Sequence, residues 1–221
     1  GTSRFNVSLC LLGIALASPA LAAPPDEKLR AMADAHVTCR LVIETPISFG
    51  HAILCPALPA FAARHPGIAT AVTLTNQPHH LIERAIDVAI RMDRVEDAEL
   101  VAKPIYEARY VLCCAPALAA TLPESPRDLD PRHCLGVLPE ERPVPNAWHL
   151  GEDGGDGEGL LTIRPEGTLH FNSSDALIGA AQAGAGLIHV LDLFARRALA
   201  DGQLVAVYPD WSTRRDRKSV V

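Results

Sequence analysis

From Val37 onward, short β-branched apolar runs alternate with longer stretches in which apolar residues recur at helical spacing. "CRLVIET" from Cys39 reads as a strand and "SFG" at Ser48, Phe49 and Gly50 as a turn. "HAILCPALPAFAARHPG" then sets Leu54, Leu58 and Phe61 on one helical face and stops at His65-Pro66-Gly67. "IATAVTLTNQ" is the next strand, with Thr75, Asn76 and Gln77 at its carboxyl end, "PHHLIERA" a short helix and "DVAIRM" a third strand. This βαβαβ order predicts a parallel sheet with right-handed crossovers, in which ligands bind beyond the carboxyl ends of the strands. "LIERAIDVAIRMDRVEDAELVAKPI" continues the pattern through an acidic loop into another apolar run, as scaffold.

"ARYVLCCAP" is a further strand, after which the proline-rich, charged "LPESPRDLDPRH" reads as a surface loop and the start of a second unit. "NAWHL" and "LLTIRP" flank "GEDGGDGEG", a hairpin with a solvated tip. Asp153, Asp156 and Glu158 in that tip miss the spacing of a calcium loop. "LHFNSSDALIGAAQAGAG" runs strand, Asn172-Ser173-Ser174, helix, with Ser173 or Ser174 as the cap and Gly184 and Gly186 ending the helix.

Composition narrows the function classes. With 221 residues, 48% of them hydrophobic, the chain can bury one large core or two small ones. Its 26 acidic and 20 basic side chains give −6, which opposes the phosphate neutralisation on which nucleic-acid binding rests. Six cysteines lie in apolar runs without zinc spacing, and Cys113 and Cys114, adjacent in a strand, point to opposite faces. They imply a reduced interior. His79-His80 lacks a third ligand at helical spacing, so no metal or other cofactor is expected. No nucleophile sits beside a base in sequence, which disfavours an enzyme. Arg91, inside an apolar strand, can reach a cleft or pair with Glu99 or Asp93, and a structural ion pair is the expectation.

The ends differ from the rest. Residues 1–36 include "SRFNVSLCLLGIALASPALAAPP", laid out like a secretory signal with an apolar stretch too short to span a bilayer. Residues 210–221 form a basic tail, and "RRDRKSVV" lacks periodicity and reads as disordered.

Six stretches, in order, resemble the effector-binding domain of LysR-type transcriptional regulators: "SFGHAILCPALPAFAARHPGI", "LIERAIDVAIRM", "LVAKPIYEARYVLCCAPALAA", "SPRDLDPRHCL", "FNSSDALIGAAQAGAGLIHV" and "LADGQLVAVYPDW". The resemblance implies an α/β, two-lobed type 2 periplasmic-binding-protein-like fold, with lobe 1 at 37–113, lobe 2 at 114–209 and a small effector in the cleft. It assigns the effector to Ser48, Phe49, Gly50, Thr75, Asn76, Asn172, Ser173 and Ser174. Helix N-termini with hydroxyls and N–H groups facing a cleft suit an organic acid. The same residues also suit plain capping and turn roles, and the sequence leaves both open. Further implications are a homo-oligomer at full length, DNA contact only through a helix-turn-helix that these residues do not contain, a cytoplasmic location and no membrane. The family's last strand and helix are expected to be missing after "YPDW". The alternative is an exported periplasmic solute-binding protein of the same fold.

Overall fold

The structure, a computed structural model, describes residues 39–77, 85–92, 103–139, 142–151, 160–211 and 217–220. They fall into two compact units, the first ending at Ile105 and the second running Tyr106–Val220. The segments expected as signal, His79-His80 helix, acidic loop and hairpin tip lie outside the described residues, as do Asp93 and Glu99.

In the first unit β1 (Cys39–Thr45) is central. β2 (Ile68–Leu74) pairs with it in parallel along its whole length, from Cys39↔Ile68 to Thr45↔Leu74, and β3 (Val88–Ala89) pairs in parallel on the other edge. The expected parallel three-stranded sheet is therefore present, with a third strand shorter than "DVAIRM". Leu41, Ile43 and Thr45 alternate into the interior, where Phe49, Leu54 and Phe61 are also buried.

The connection after β1 differs from the sequence expectation. Residues 48–50 are not a turn but the start of a helix: α1 (Ile47–Phe49), a π-helical segment (Gly50–Leu54) and α2 (Cys55–Arg64) follow without a break. Pro46, extended at φ −56° and ψ 144°, makes the whole change of direction. The wider π turn has a local cause, because Pro56 and Pro59 can donate no N–H and disturb the i→i−4 ladder where α2 begins. Gly50 is needed for a different reason: a side chain there would collide with Leu74 of β2.

The second unit is built on β4 (Tyr106–Cys114). After it come α3 (Pro116–Ala119), two short 3₁₀ turns, β5 (Gly136–Val137), the hairpin strands β6 (Trp148–Leu150) and β7 (Leu161–Ile163), and β8 (His170–Phe171). Then follow α4 (Ser174–Gln182), β9 (Ile188–Leu191), α5 (Asp192–Ala200) and β10 (Val205–Val207). β5 and β8 run parallel, and a parallel bridge from Cys134 to Leu187 ties that pair to β9, which lies antiparallel to β4. β10 pairs with Leu112–Cys114 of β4.

The tail contradicts the expectation of disorder, since β11 (Arg217–Val220) pairs antiparallel with Tyr106–Arg109. Its hydrophobic pattern gives no warning, because the ladder is made by main-chain groups that any sequence supplies. β4 separates two cores, as its alternation dictates. Cys113 faces Leu135, Leu177, Ile188 and Ala195, whereas Leu112 and Cys114 face Leu129, Trp148, Leu150 and Leu187. Burial raises all three inner thiols, Cys113 to about 12, Cys114 to about 11 and Cys134 to about 12, so they remain protonated and unreactive.

His189 lies in the second core, its ring 4.7 Å from Tyr110 and 5.5 Å from Trp148. Burial, and secondarily His149, hold its pKa down to about 3. The unfolded chain takes up that proton below about pH 6.5 and the folded chain does not. Stability from this residue is thus complete above pH 6.5 and is lost as pH falls toward 3. Urea unfolding should show His189→Gln losing about 2 kcal/mol less than the wild type between pH 7 and pH 5. Equal losses would contradict the assignment.

Candidate functional site

In each unit the polar residues of interest collect where parallel strands end and helices begin. That geometry leaves the first N–H groups of each helix without intrahelical partners, and each end meets this differently.

In the first unit the helix entered at Ile47 is capped from the neighbouring strand end. Asn76 Oδ1 accepts the Ile47 N–H at 3.2 Å. Thr75 is tied down twice: its N–H donates to Thr45 O at 3.0 Å, and its hydroxyl accepts from the Gln77 N–H at 3.1 Å. Thr75 and Asn76 therefore hold the loop after β2 against the start of α1. Ser48 is placed otherwise. It is half-buried in the first turn, and its hydroxyl has no hydrogen bond among the described residues. Phe49 sends its ring into the interior and is 6% exposed, while Gly50 packs on Leu74, so both reach the edge only through the backbone.

Beside them lies the ion pair expected for Arg91, with a partner that the sequence did not suggest. Arg91 does pair, but its Nη2 donates to Glu44 Oε1 of β1. The register explains this: Glu44 lies opposite Ala89, so Arg91, two residues on, falls on the same face. Glu44 is 1% exposed, and a carboxylate so deep in the sheet requires a fixed cation.

In the second unit Ser173 is the N-cap of α4, its Oγ accepting from Ala176 N at 3.4 Å. Ser174, in the first turn, is half-buried and Asn172 is exposed, and neither side chain has a hydrogen bond among the described residues. Ahead of them, His170 Nδ1 accepts the Gly136 N–H at 3.0 Å and fixes β8 on β5.

The other helix start at this edge, that of α5, was not singled out from the sequence. Asp192 fills it. Its Oδ1 accepts from Leu193 N at 2.8 Å and from Arg109 N of β4 at 3.2 Å, and its Oδ2 accepts from the Tyr106 hydroxyl at 3.2 Å. The signal was an acidic residue at the head of "DLFARRALA", in the first helical turn where the dipole favours it.

A cavity of about 330 Å³ opens elsewhere in the second unit, among Arg127, Leu129, Ile163, Arg164 and Glu166. It includes none of the expected residues. Arg127 there is stacked on Trp211 at 4.9 Å.

The eight expected residues thus divide into holders (Thr75, Asn76, Ser173), backbone contributors (Phe49, Gly50) and uncommitted polar groups (Ser48, Asn172, Ser174). Denaturant unfolding should separate them. Asn76→Ala and Ser173→Ala should each cost about 1 kcal/mol, the value of a helix cap. Ser48→Ala, Asn172→Ala and Ser174→Ala should stay within about 0.5 kcal/mol of wild type. A reversed order would mean that the caps are wrongly placed.

The chain has counterparts among known proteins. The family profile of the LysR substrate binding domain matches residues 35–218. The probable HTH-type transcriptional regulator LtrA of Klebsiella pneumoniae is 29% identical over 175 residues, 78% of this chain and 54% of that protein. The HTH-type regulator YhjC of Escherichia coli is 27% identical over 79% of this chain and 58% of its own length. The chain thus spans just over half the length of these relatives. The regulatory domain of AphB from Vibrio vulnificus superposes with a TM-score of 0.68 at 23% identity, covering 82% of this chain and 88% of that one. The CrgA regulatory domain from Neisseria meningitidis gives 0.66 at 21% identity, covering 82% and 86%. Both are LysR-type regulatory domains, which fixes the fold as the type 2 periplasmic-binding-protein kind. With its profile match covering most of its length, the chain belongs to the LysR substrate binding domain family, the ligand-sensing part of LysR-type transcriptional regulators.

Proposed function

We propose that this domain senses a small organic acid and that the residues taking part are Ser48 in the first unit and Asn172 and Ser174 in the second, with backbone N–H groups of the first turns of α1 and α4. Thr75, Asn76 and Ser173 shape the site, and Phe49 and Gly50 contribute main chain. The observation that carries the reading is the contrast within the set. At ends where the cap is already supplied, three further polar side chains have no hydrogen bond among the described residues. Helix N-termini with spare hydroxyls favour an anion such as a carboxylate.

The lobe ranges 37–113 and 114–209 belong to the same proposal, as ligand-binding lobes and not as the compact units, which divide at Ile105. So does the setting: a cytoplasmic, oligomeric regulator whose DNA contact is made outside these residues and which catalyses no reaction. Relatives described as HTH-type regulators support this over an exported solute-binding protein.

A thermal-shift screen of small organic acids tests the reading. A ligand at a hundred times its dissociation constant should stabilise the domain by about 2.7 kcal/mol. Ser48→Ala and Asn172→Ala should each remove most of that shift, and Thr121→Ala, beyond the other end of β4, should leave it intact. A stabilising acid whose effect survives both site substitutions would show that the site is elsewhere.

A further inference from the structure

The cavity of about 330 Å³ in the second unit lies among the two 3₁₀ turns (Pro126–Asp128 and Pro131–His133) and β7. Pro126, Leu129 and Ile163 are buried and form its apolar floor, while Arg127, Arg164 and Glu166 are exposed and stand at its mouth. Its walls are fixed by main-chain bonds. Ser125 Oγ accepts from Arg127 N at 3.3 Å, Glu166 N donates to Pro131 O at 2.8 Å, and Ile163 lies opposite Trp148 in the β6–β7 hairpin. A pocket held in this way is formed before any ligand arrives, as small-molecule sites usually are.

The two arginines at the mouth lack the acid that their neighbour has. Arg132 is held by Asp130 Oδ2 at 2.6 Å, whereas Arg127 and Arg164 have no ion pair and no side-chain hydrogen bond among the described residues. Arg127 is nonetheless oriented, its guanidinium 4.9 Å from the centre of the Trp211 ring. Stacking engages the flat face of a guanidinium and leaves the N–H groups at its edge to donate, in the fork that matches a carboxylate. With Glu166 the lining carries two positive charges and one negative, an excess that one carboxylate balances.

We infer that this cavity is a second ligand site, separate from the helix starts, for a molecule that combines a compact apolar body with one carboxylate. The body covers Leu129 and Ile163, and the carboxylate takes the free edges of Arg127 and Arg164. An apolar floor alone would accept any small hydrophobe, and exposed arginines alone would accept any anion. Together they select a ligand that has both features. The organic-acid reading of the helix starts is not needed here, because none of Ser48, Asn172 and Ser174 lines the cavity.

Phenylacetate is the probe, with phenylacetamide as its neutral counterpart and acetate as the charge without the body. In ¹H–¹⁵N spectra of the whole chain, phenylacetate should shift the Nε–H signals of Arg127 and Arg164 and the amides of Ile163 and Glu166 along one saturating curve. Phenylacetamide and acetate should each bind there about tenfold more weakly, since one loses the ion pairs and the other the apolar contact. Arg127→Gln and Arg164→Gln should each weaken phenylacetate roughly fivefold, the scale of one exposed ion pair. Arg197→Gln, which removes the same charge outside the cavity, should leave the curve unchanged, and so should Ser48→Ala. No saturating shift at these residues overturns the site. Equal binding of phenylacetamide or of acetate overturns the ligand class. A curve that survives Arg164→Gln but is lost in Ser48→Ala would overturn the second site while leaving the helix starts as the place of binding.

Discussion

Among the described residues, each helix that follows a parallel strand begins with N–H groups that its own backbone cannot satisfy, and the way each start is satisfied organises the molecule. Asn76 reaches across from the end of β2 to cap the helix entered at Ile47. Ser173 caps α4 from within its own strand-to-helix step. Asp192 closes α5 and, through Arg109 N and Tyr106, fastens that helix to β4. The three solutions have different reach. The first joins neighbouring strand ends, the second is local and leaves polar groups spare, and the third brings a full charge to its helix start.

The same rule governs the charges inside. Glu44, almost fully buried, is matched by Arg91 one strand away, and His189, enclosed by Tyr110 and Trp148, stays neutral because burial opposes its protonation. Neither group leaves a bare charge in a low-dielectric interior, where the desolvation cost would fall on the fold itself.

Much of this was legible in the chain. β1, β2 and β4 fall where their β-branched runs place them, the parallel order follows from strand-helix alternation, and Ser173 caps where "NSSD" meets an apolar helical period. What sequence missed are contacts of long range or of main chain. Arg91 finds Glu44 across 47 positions, a match set by strand register that no local pattern displays. β11 is made by backbone pairing, so a basic segment without alternation still becomes a strand. Residues 48–50 look like a turn because Gly50 usually signals one, yet here glycine is required by Leu74 and the reversal is made by Pro46. The candidate residues were found through family resemblance. Their division into holders and uncommitted groups needed the hydrogen bonds, because Ser173 and Ser174 are the same residue type one position apart.

The central claim of the proposal is that Ser48, Asn172 and Ser174, left without side-chain partners among the described residues at the helix starts, take part in binding a small organic acid. Amide ¹H–¹⁵N spectra recorded while titrating a stabilising monocarboxylic acid report on it directly. The account predicts that the backbone amides of Ser48, Phe49, Ser174 and Asp175 shift together along one binding curve and that the Leu193 amide stays in place. Shifts centred on Leu193 and Arg109, or confined to the Arg127 and Arg164 cavity, would contradict it.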